Sequence, residues 1–382
     1  MKKYKLINDT TGWVVFAIAA VTYFLTMEPT TSFWDCGEFI ASAYKMEIGH
    51  PPGSQVFMVL ARFFTLFAGG NVGKVAVMVN AMSALASAFT ILFLFWTITH
   101  LARRIMVNNE NEASQSDIIA IMAAGVVGSL AFTFSDSFWF SAVEAEVYAT
   151  SSFFTAASFW AILKWEDAAG EKYADRWIIL VAYLMGLSIG VHLLNLLALP
   201  AIVLVYYFKK SEFTWKGLVI SLGISFIILA LLMWGIIPGI VKISSRLDLF
   251  FVNKLNLPVN SGMIFHSIIL VVLFTATIRY SLKSADRVKN SILAIAAVFL
   301  TGVWVISGSS LLNLVVFLVL AGIIWYISRS RVTLNTVITA LAVVLIGYSS
   351  AAIIVIRSSA NPPLNENNPS NPFNLLYYFN RE

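Results

Sequence analysis

The feature that most constrains this chain is a succession of apolar stretches. Each is close to the length of about 20 residues that a helix needs to cross a bilayer. Eleven such spans can be read: 12–27, 76–102, 118–134, 147–164, 177–191, 194–208, 217–238, 261–279, 291–307, 310–327 and 333–356. The fifth and sixth form a tight hairpin meeting near His192. Composition agrees, because 59% of the 382 residues are hydrophobic and only 12% are charged. Soluble globular chains have about 45–50% and about 25%. A soluble enzyme, a disordered chain and a nucleic-acid binder are excluded. The expected fold class is an all-α polytopic membrane protein of about 11 transmembrane helices. Cys36 is the only cysteine, which excludes an intrachain disulfide.

Lys2, Lys3 and Lys5 precede the first span, as they would in a signal peptide, but Met27-Glu28-Pro29 offers no small-residue cleavage site. With the N-terminus inside, 17 of the 25 Lys and Arg residues fall in inner segments, the asymmetry that cytoplasmic loops carry. The outer eight are Lys45, Arg62, Lys74, Lys242, Arg246, Lys254, Arg357 and Arg381. The expected organisation is a transmembrane domain over 1–356, with a first outer loop at 28–75. A non-cytoplasmic Asn- and Pro-rich tail at 357–382 would begin a further region.

The first outer loop carries the chemistry. The stretch 36–47 predicts a short helix with Glu38, Ser42 and Lys45 on one face. A second helix, predicted over 53–68 and opening near Pro52, is apolar almost all round, with Arg62 its only charge. Such a helix lies in the membrane interface. Trp34, Asp35, Glu38, His50 and Arg62 are the candidate functional groups of this greasy loop, since ionisable groups held at low dielectric are costly. The competing reading has Asp35 as a helix cap and Arg62 reaching lipid phosphates.

The second outer loop, 135–148, holds Asp136, Glu144 and Glu146 and ends at Tyr148. In an extended segment Glu144 and Glu146 point the same way, and the pair could hold a divalent cation, Mg²⁺ or Mn²⁺. The competing reading is a solvated acidic loop. His192 and Asn195 sit at the hairpin turn, where they would either bond to neighbours or meet a sugar or phosphate. Cys36 has no evident base to make it a nucleophile, and His100 and His266 receive no role.

The run Pro29-Thr30-Thr31-Ser32-Phe33-Trp34-Asp35-Cys36-Gly37-Glu38-Phe39-Ile40-Ala41, continuing to Gly49-His50-Pro51-Pro52-Gly53, resembles the signature of the bacterial membrane family known as domain of unknown function 2723. That family is related to an animal membrane protein O-mannosyltransferase. The resemblance is strongest over 28–70 and recurs at 141–148 and 190–195. It implies a GT-C glycosyltransferase bundle whose first outer loop carries a catalytic acid. The donor it implies is a sugar on a polyprenyl phosphate, transferred with inversion. By that resemblance Asp35 is the first-loop acid with Glu38 as its neighbour, and Glu144 and Glu146 match acids that bind metal in some relatives. It also implies a bacterial inner membrane location, with the site on the periplasmic face.

Transfer from a polyprenyl phosphate needs one base for the incoming hydroxyl, a role worth about 10²–10⁴-fold, and positive charge at the leaving phosphate. Arg62, His50, Lys45 and Arg246 are the outer cations for that purpose. Trp34, Tyr148, His192 and Asn195 complete the expected donor site. The expected partners are a polyprenyl-phosphate-linked sugar, an acceptor protein or glycan, and membrane lipids. A lipid flippase and a non-catalytic membrane anchor are the alternatives. Transport is disfavoured by the scarcity of charge at span centres and by the lack of an inverted repeat.

Overall fold

The structure is a computed structural model describing residues 2–107 and 113–382. The described residues are helical almost throughout, and their only β pairing is an isolated bridge between Ile48 and Asn365. Among the described residues, eight helices are long and apolar enough to cross a membrane. The protein is an all-α multi-pass membrane protein. All eleven spans fall on helices, but three of those helices are not among the eight.

The chain divides into two compact units, residues 1–47 with 54–209, and 48–53 with 210–382. The first unit contains α1 (Lys2–Thr26), α2 (Cys36–Lys45), α3 (Gln55–Thr65), α4 (Val75–Met106), α5 (Gln115–Thr133), α6 (Asp136–Ala142), α7 (Val147–Ala168), α8 (Arg176–Ile189) and α9 (Leu199–Lys210). Its centre is α4, which packs against α1, α5 and α7. Val15, Ala19, Tyr23, Ala88, Ile91 and Phe95 form one part of the core. Phe39, Val56, Phe57, Val79, Val147 and Val191 form the other, beneath the two short helices.

Short helices cannot hold themselves together in water or at an interface, so α2 and α3 are fixed from outside. The Gly190 carbonyl accepts the Val56 N–H at 2.7 Å, and Ser54 Oγ donates to the Val191 carbonyl at 3.0 Å. These bonds satisfy groups that a helix start leaves unpaired. The α3 helix begins at Gln55 rather than at the expected residue 53. Gly53 has φ +76°, outside the helical region, so the chain cannot enter a helix there. Val56, Phe57 and Ala61 are buried, while Val59, Leu60, Phe63 and Phe67 are exposed. An apolar outer face of this kind suits contact with lipid.

The far ends of α4 and α7 are joined by charge. His100 Nε2 lies 2.9 Å from Glu166, its Nδ1 lies 3.5 Å from Asp167, and Arg104 reaches Glu166 at 3.1 Å. His100, without a role on sequence grounds, here ties two helices together.

The second unit contains α10 (Trp215–Ala230), α11 (Ile237–Leu255), α12 (Ser261–Lys283), α13 (Arg287–Leu300), α14 (Ser310–Ile327), α15 (Arg331–Tyr348), α16 (Ala352–Ser359) and α17 (Pro372–Asn380). A π-helical turn joins α10 to α11, so Trp215–Leu255 is one continuous helix of 41 residues. The expected span ended at 238. Lys242, Arg246 and Lys254, expected in an outer loop, stand on that helix instead. The expected span 291–307 also stops early, at Leu300, because Gly302 turns the chain at φ +69°. A Cβ on Gly302 would lie 2.3 Å from the Gly239 carbonyl oxygen, so α11 and this turn touch backbone to backbone. Within the tail, α17 is N-capped by Asn371 and packs against α11. The Tyr378 hydroxyl donates to the carbonyls of Gly49 and His50.

Candidate active site

The candidate site lies in the first unit, where the loop after α1 and the loop after α5 meet. Hydrogen bonds hold the two loops to each other and to α1 and α4. The Glu28 N–H donates to the Val143 carbonyl at 3.0 Å. The Asn80 amide on α4 donates to the carbonyls of Glu28 and Thr30 at 2.6 and 2.9 Å. Trp139 Nε1 donates to Thr26 Oγ1 at 2.9 Å. Asn80, fully buried, was missed on sequence grounds. A lone amide inside an otherwise apolar span is the signal that marks such a residue.

Asp35 occupies the N-cap position of α2 but makes no side-chain cap bond, and it is exposed. Its carbonyl, not its carboxylate, accepts from the helix, at Phe39 N–H. Glu38 lies one turn on, with a carboxylate oxygen within 4.8 Å of one of Asp35. The preceding residue, Trp34, is 85% exposed and has φ +58°, a conformation rare for a bulky side chain. Ser42 is buried and Lys45 exposed, so the expected polar face is only partly realised.

Cys36, directly after Asp35, is fully buried with Sγ 3.8 Å from Glu146 Oε1. The second-loop acids close around it. Glu144 and Glu146 are 3% and 6% exposed. The segment is not extended: Glu146 N–H donates to the Glu144 carbonyl at 2.9 Å, a tight three-residue turn. Glu144 Oε2 accepts from Ser32 Oγ at 2.7 Å, and Glu146 Oε2 accepts the Val147 N–H at 3.3 Å, capping α7.

Burial dominates the electrostatics. It pushes Glu146 up to about 7, aided by the nearby Asp35 and Glu144 charges and opposed by the Val147 N–H. Burial raises Glu144 as well, against the Ser32 and Cys36 hydrogen bonds. The Cys36 thiol is pushed up to about 12 by burial and then by the two glutamates. A thiol so placed stays protonated at neutral pH and is no nucleophile.

The remaining candidates are more dispersed. Arg62 on α3 is half-buried, with Nη1 donating to the Tyr44 carbonyl and to Thr65 Oγ1, and its guanidinium stands 5.5 Å from the Tyr44 ring centroid. It clamps α3 to α2 while its other N–H groups remain for a ligand. His192 caps a short 3₁₀ turn, its Nδ1 accepting the Leu194 N–H. The neutral ring therefore carries its proton on Nε2. Tyr148 is exposed with its ring 5.4 Å from His192. Asn195 is fully buried and its amide faces Met185 Sδ at 3.4 Å. His50 belongs to the second unit.

Glu144 and Glu146 would have to supply the shell of a divalent cation here. The oxygens of Glu144 and Glu146 already receive O–H, S–H and N–H groups. Among the described residues, no third His, Cys or acidic side chain joins these two at ligand spacing. A hard cation wants bare carboxylate lone pairs in a shared shell, so these residues fit one poorly.

Residues 35–215 match a family model described as the Protein O-mannosyl-transferase TMEM260 N-terminal domain. The chain is 31% identical over 176 residues to Protein O-mannosyl-transferase TMEM260 of Mus musculus, covering 46% of this chain and 22% of that protein. It is 26% identical over 143 residues to Protein O-mannosyl-transferase tmem260 of Dictyostelium discoideum, covering 37% and 15%. The chain thus spans about a fifth or less of the length of these relatives. No solved structure matches. The matched stretch opens at Asp35 and takes in Cys36, Glu144, Glu146 and His192, so the similarity to the O-mannosyl-transferase model runs through the residues that build this site.

Proposed function

We propose that this chain is the membrane-embedded catalytic part of a protein O-mannosyltransferase-like glycosyltransferase. It moves a mannosyl group from a polyprenyl-phosphate donor to a hydroxyl, first of all Ser or Thr of an exported protein. The observation that carries the reading is the meeting of an exposed Asp35 with two buried glutamates, inside the stretch that matches the O-mannosyl-transferase model.

In this reading Asp35 takes the proton of the acceptor hydroxyl. The acceptor oxygen bonds to the anomeric carbon as the carbon–phosphate oxygen bond breaks, and the electron pair leaves with the phosphate. Attack opposite the leaving group inverts the carbon. Phosphate leaves without a strong general acid, so the protein supplies a base and positive charge; the free N–H groups of Arg62 are the first-unit source of the latter. Trp34 offers an exposed ring beside the base. The excess of Lys and Arg in inner segments supports a cytoplasmic N-terminus and a site on the far face. In a bacterial cell that face is periplasmic.

The test is Asp35→Asn, with sugar transfer followed from a labelled polyprenyl-phosphate mannose. The expected loss is about 10²–10⁴-fold in kcat. Transfer at the wild-type rate removes Asp35 from the mechanism.

A further inference from the structure

Glu146 poses a problem that the transfer reaction does not resolve. Together with Glu144 it places two carboxylates at 6% and 3% exposure. Among the described residues neither forms an ion pair with Lys, Arg or His. A buried carboxylate without a cation is costly and becomes neutral instead. The metal that would neutralise the pair fits this donor set poorly, as the hydrogen bonds above show.

The groups facing Glu146 deepen the problem. From the first loop and α2 come Asp35 and the Cys36 thiol, with Glu38 beside Asp35. From its own turn comes Glu144, with Glu28 behind it. Tyr148, two residues further on, turns its ring to His192. An anionic sugar phosphate brought to Asp35 would add charge to a corner already populated by five acids.

We propose that Glu146 holds a proton in the resting site and must hold it for a phosphate-bearing donor to bind, so that above neutrality donor binding draws one proton from solvent onto its carboxylate. This rests on the donor class proposed above. Glu146 is then a positioning residue: it lowers the negative charge around the phosphate and leaves the hydroxyl proton to Asp35.

The experiment compares the intact chain with Glu146→Gln, using a short-chain polyprenyl phosphate mannose as donor. For the wild type, donor KM is expected to rise about tenfold per pH unit above about 7, as one-proton linkage requires, with kcat much less affected. In Glu146→Gln, a permanent neutral isostere, KM is expected to stay flat between about pH 6 and 9. Difference infrared spectroscopy gives a readout independent of turnover. A protonated-carboxyl stretch present at low pH should fade through about 7 in the wild type and be missing from Glu146→Gln. Should that variant fail to accumulate, Glu146→Asp keeps the carboxyl and must move the midpoint of the band.

A flat wild-type KM, an unchanged slope in Glu146→Gln, or a band that survives the substitution overturns the proposal. So does Mn²⁺-dependent rescue of chelated wild type that Glu146→Gln lacks, which would make Glu146 a metal ligand. If the wild type transfers no sugar at all, the donor assignment fails, while the infrared titration still decides where the proton sits.

Discussion

Each unit of the molecule buries acid, but by opposite means. In the second unit Asp248, 2% exposed, accepts the backbone N–H groups of Asn260 at 3.1 Å and Gly262 at 2.9 Å, where α12 begins. Its partners are fixed amides at a helix start, and their positive end of the dipole holds the charge. In the first unit Glu144 and Glu146 meet a hydroxyl, a thiol, one backbone amide and other acids. Asp248 is therefore an architectural group, and the glutamates are groups whose charge depends on pH. Equal burial does not imply equal purpose; the dissociable neighbours make the difference.

The most severe loss is that of Asp35→Asn, which should remove transfer of labelled mannose by taking away the carboxylate at the start of α2. Next comes Gly302→Ala. A Cβ there would lie 2.3 Å from the Gly239 carbonyl oxygen at a positive φ, so the second unit should lose about 3 kcal/mol or more, seen as a lower Tm. Asn80→Ala should cost about 2–4 kcal/mol, since it strips hydrogen bonds from two carbonyls. It should also raise the acceptor or donor KM by loosening the first loop.

A smaller effect tests the glutamates directly. Glu146 rises from an ordinary 4.5 to about 7 on folding, so the folded state binds the proton more tightly than the unfolded chain. Below about 4.5 both states are protonated and the difference is silent. As pH rises towards 7, the unfolded state ionises first and stability falls by up to about 3 kcal/mol. Denaturation at stepped pH should show that decline in the wild type and a flatter curve in Glu146→Gln. Asp248→Ala should instead destabilise the protein by leaving the Asn260 and Gly262 N–H groups without their acceptor, seen as a lower Tm.

Much of the fold was legible because apolar runs of bilayer length have few alternatives to helices. Where the reading missed, tertiary contacts or backbone dihedrals had overruled a local pattern. Gly53 delays α3, and Gly302 ends α13 inside an apolar run. Lys242, Arg246 and Lys254 read as loop charges, yet α11 carries them because helix formation does not depend on an absence of charge. The short α2 helix was legible at Cys36, and its end at Lys45 came within two residues.

In the candidate site, the residue types were legible and their meeting was not. Asp35 and Glu146 are more than 100 positions apart, and no spacing rule joins them. The same holds for Ser32 with Glu144 and for Cys36 with Glu146. Glu144 and Glu146 were expected to align as in a strand, but the turn between them places each against a different partner. A thiol flanked by carboxylates can be recognised only once the chain has folded.

The grip of Asn80 on the first loop has one more consequence. Its amide holds the main-chain oxygens of Glu28 and Thr30 and touches neither side chain through those bonds. Mutational drift at positions 28 and 30 can therefore alter charge and bulk in this loop while the anchorage persists, so its side chains can change without redesign of its attachment.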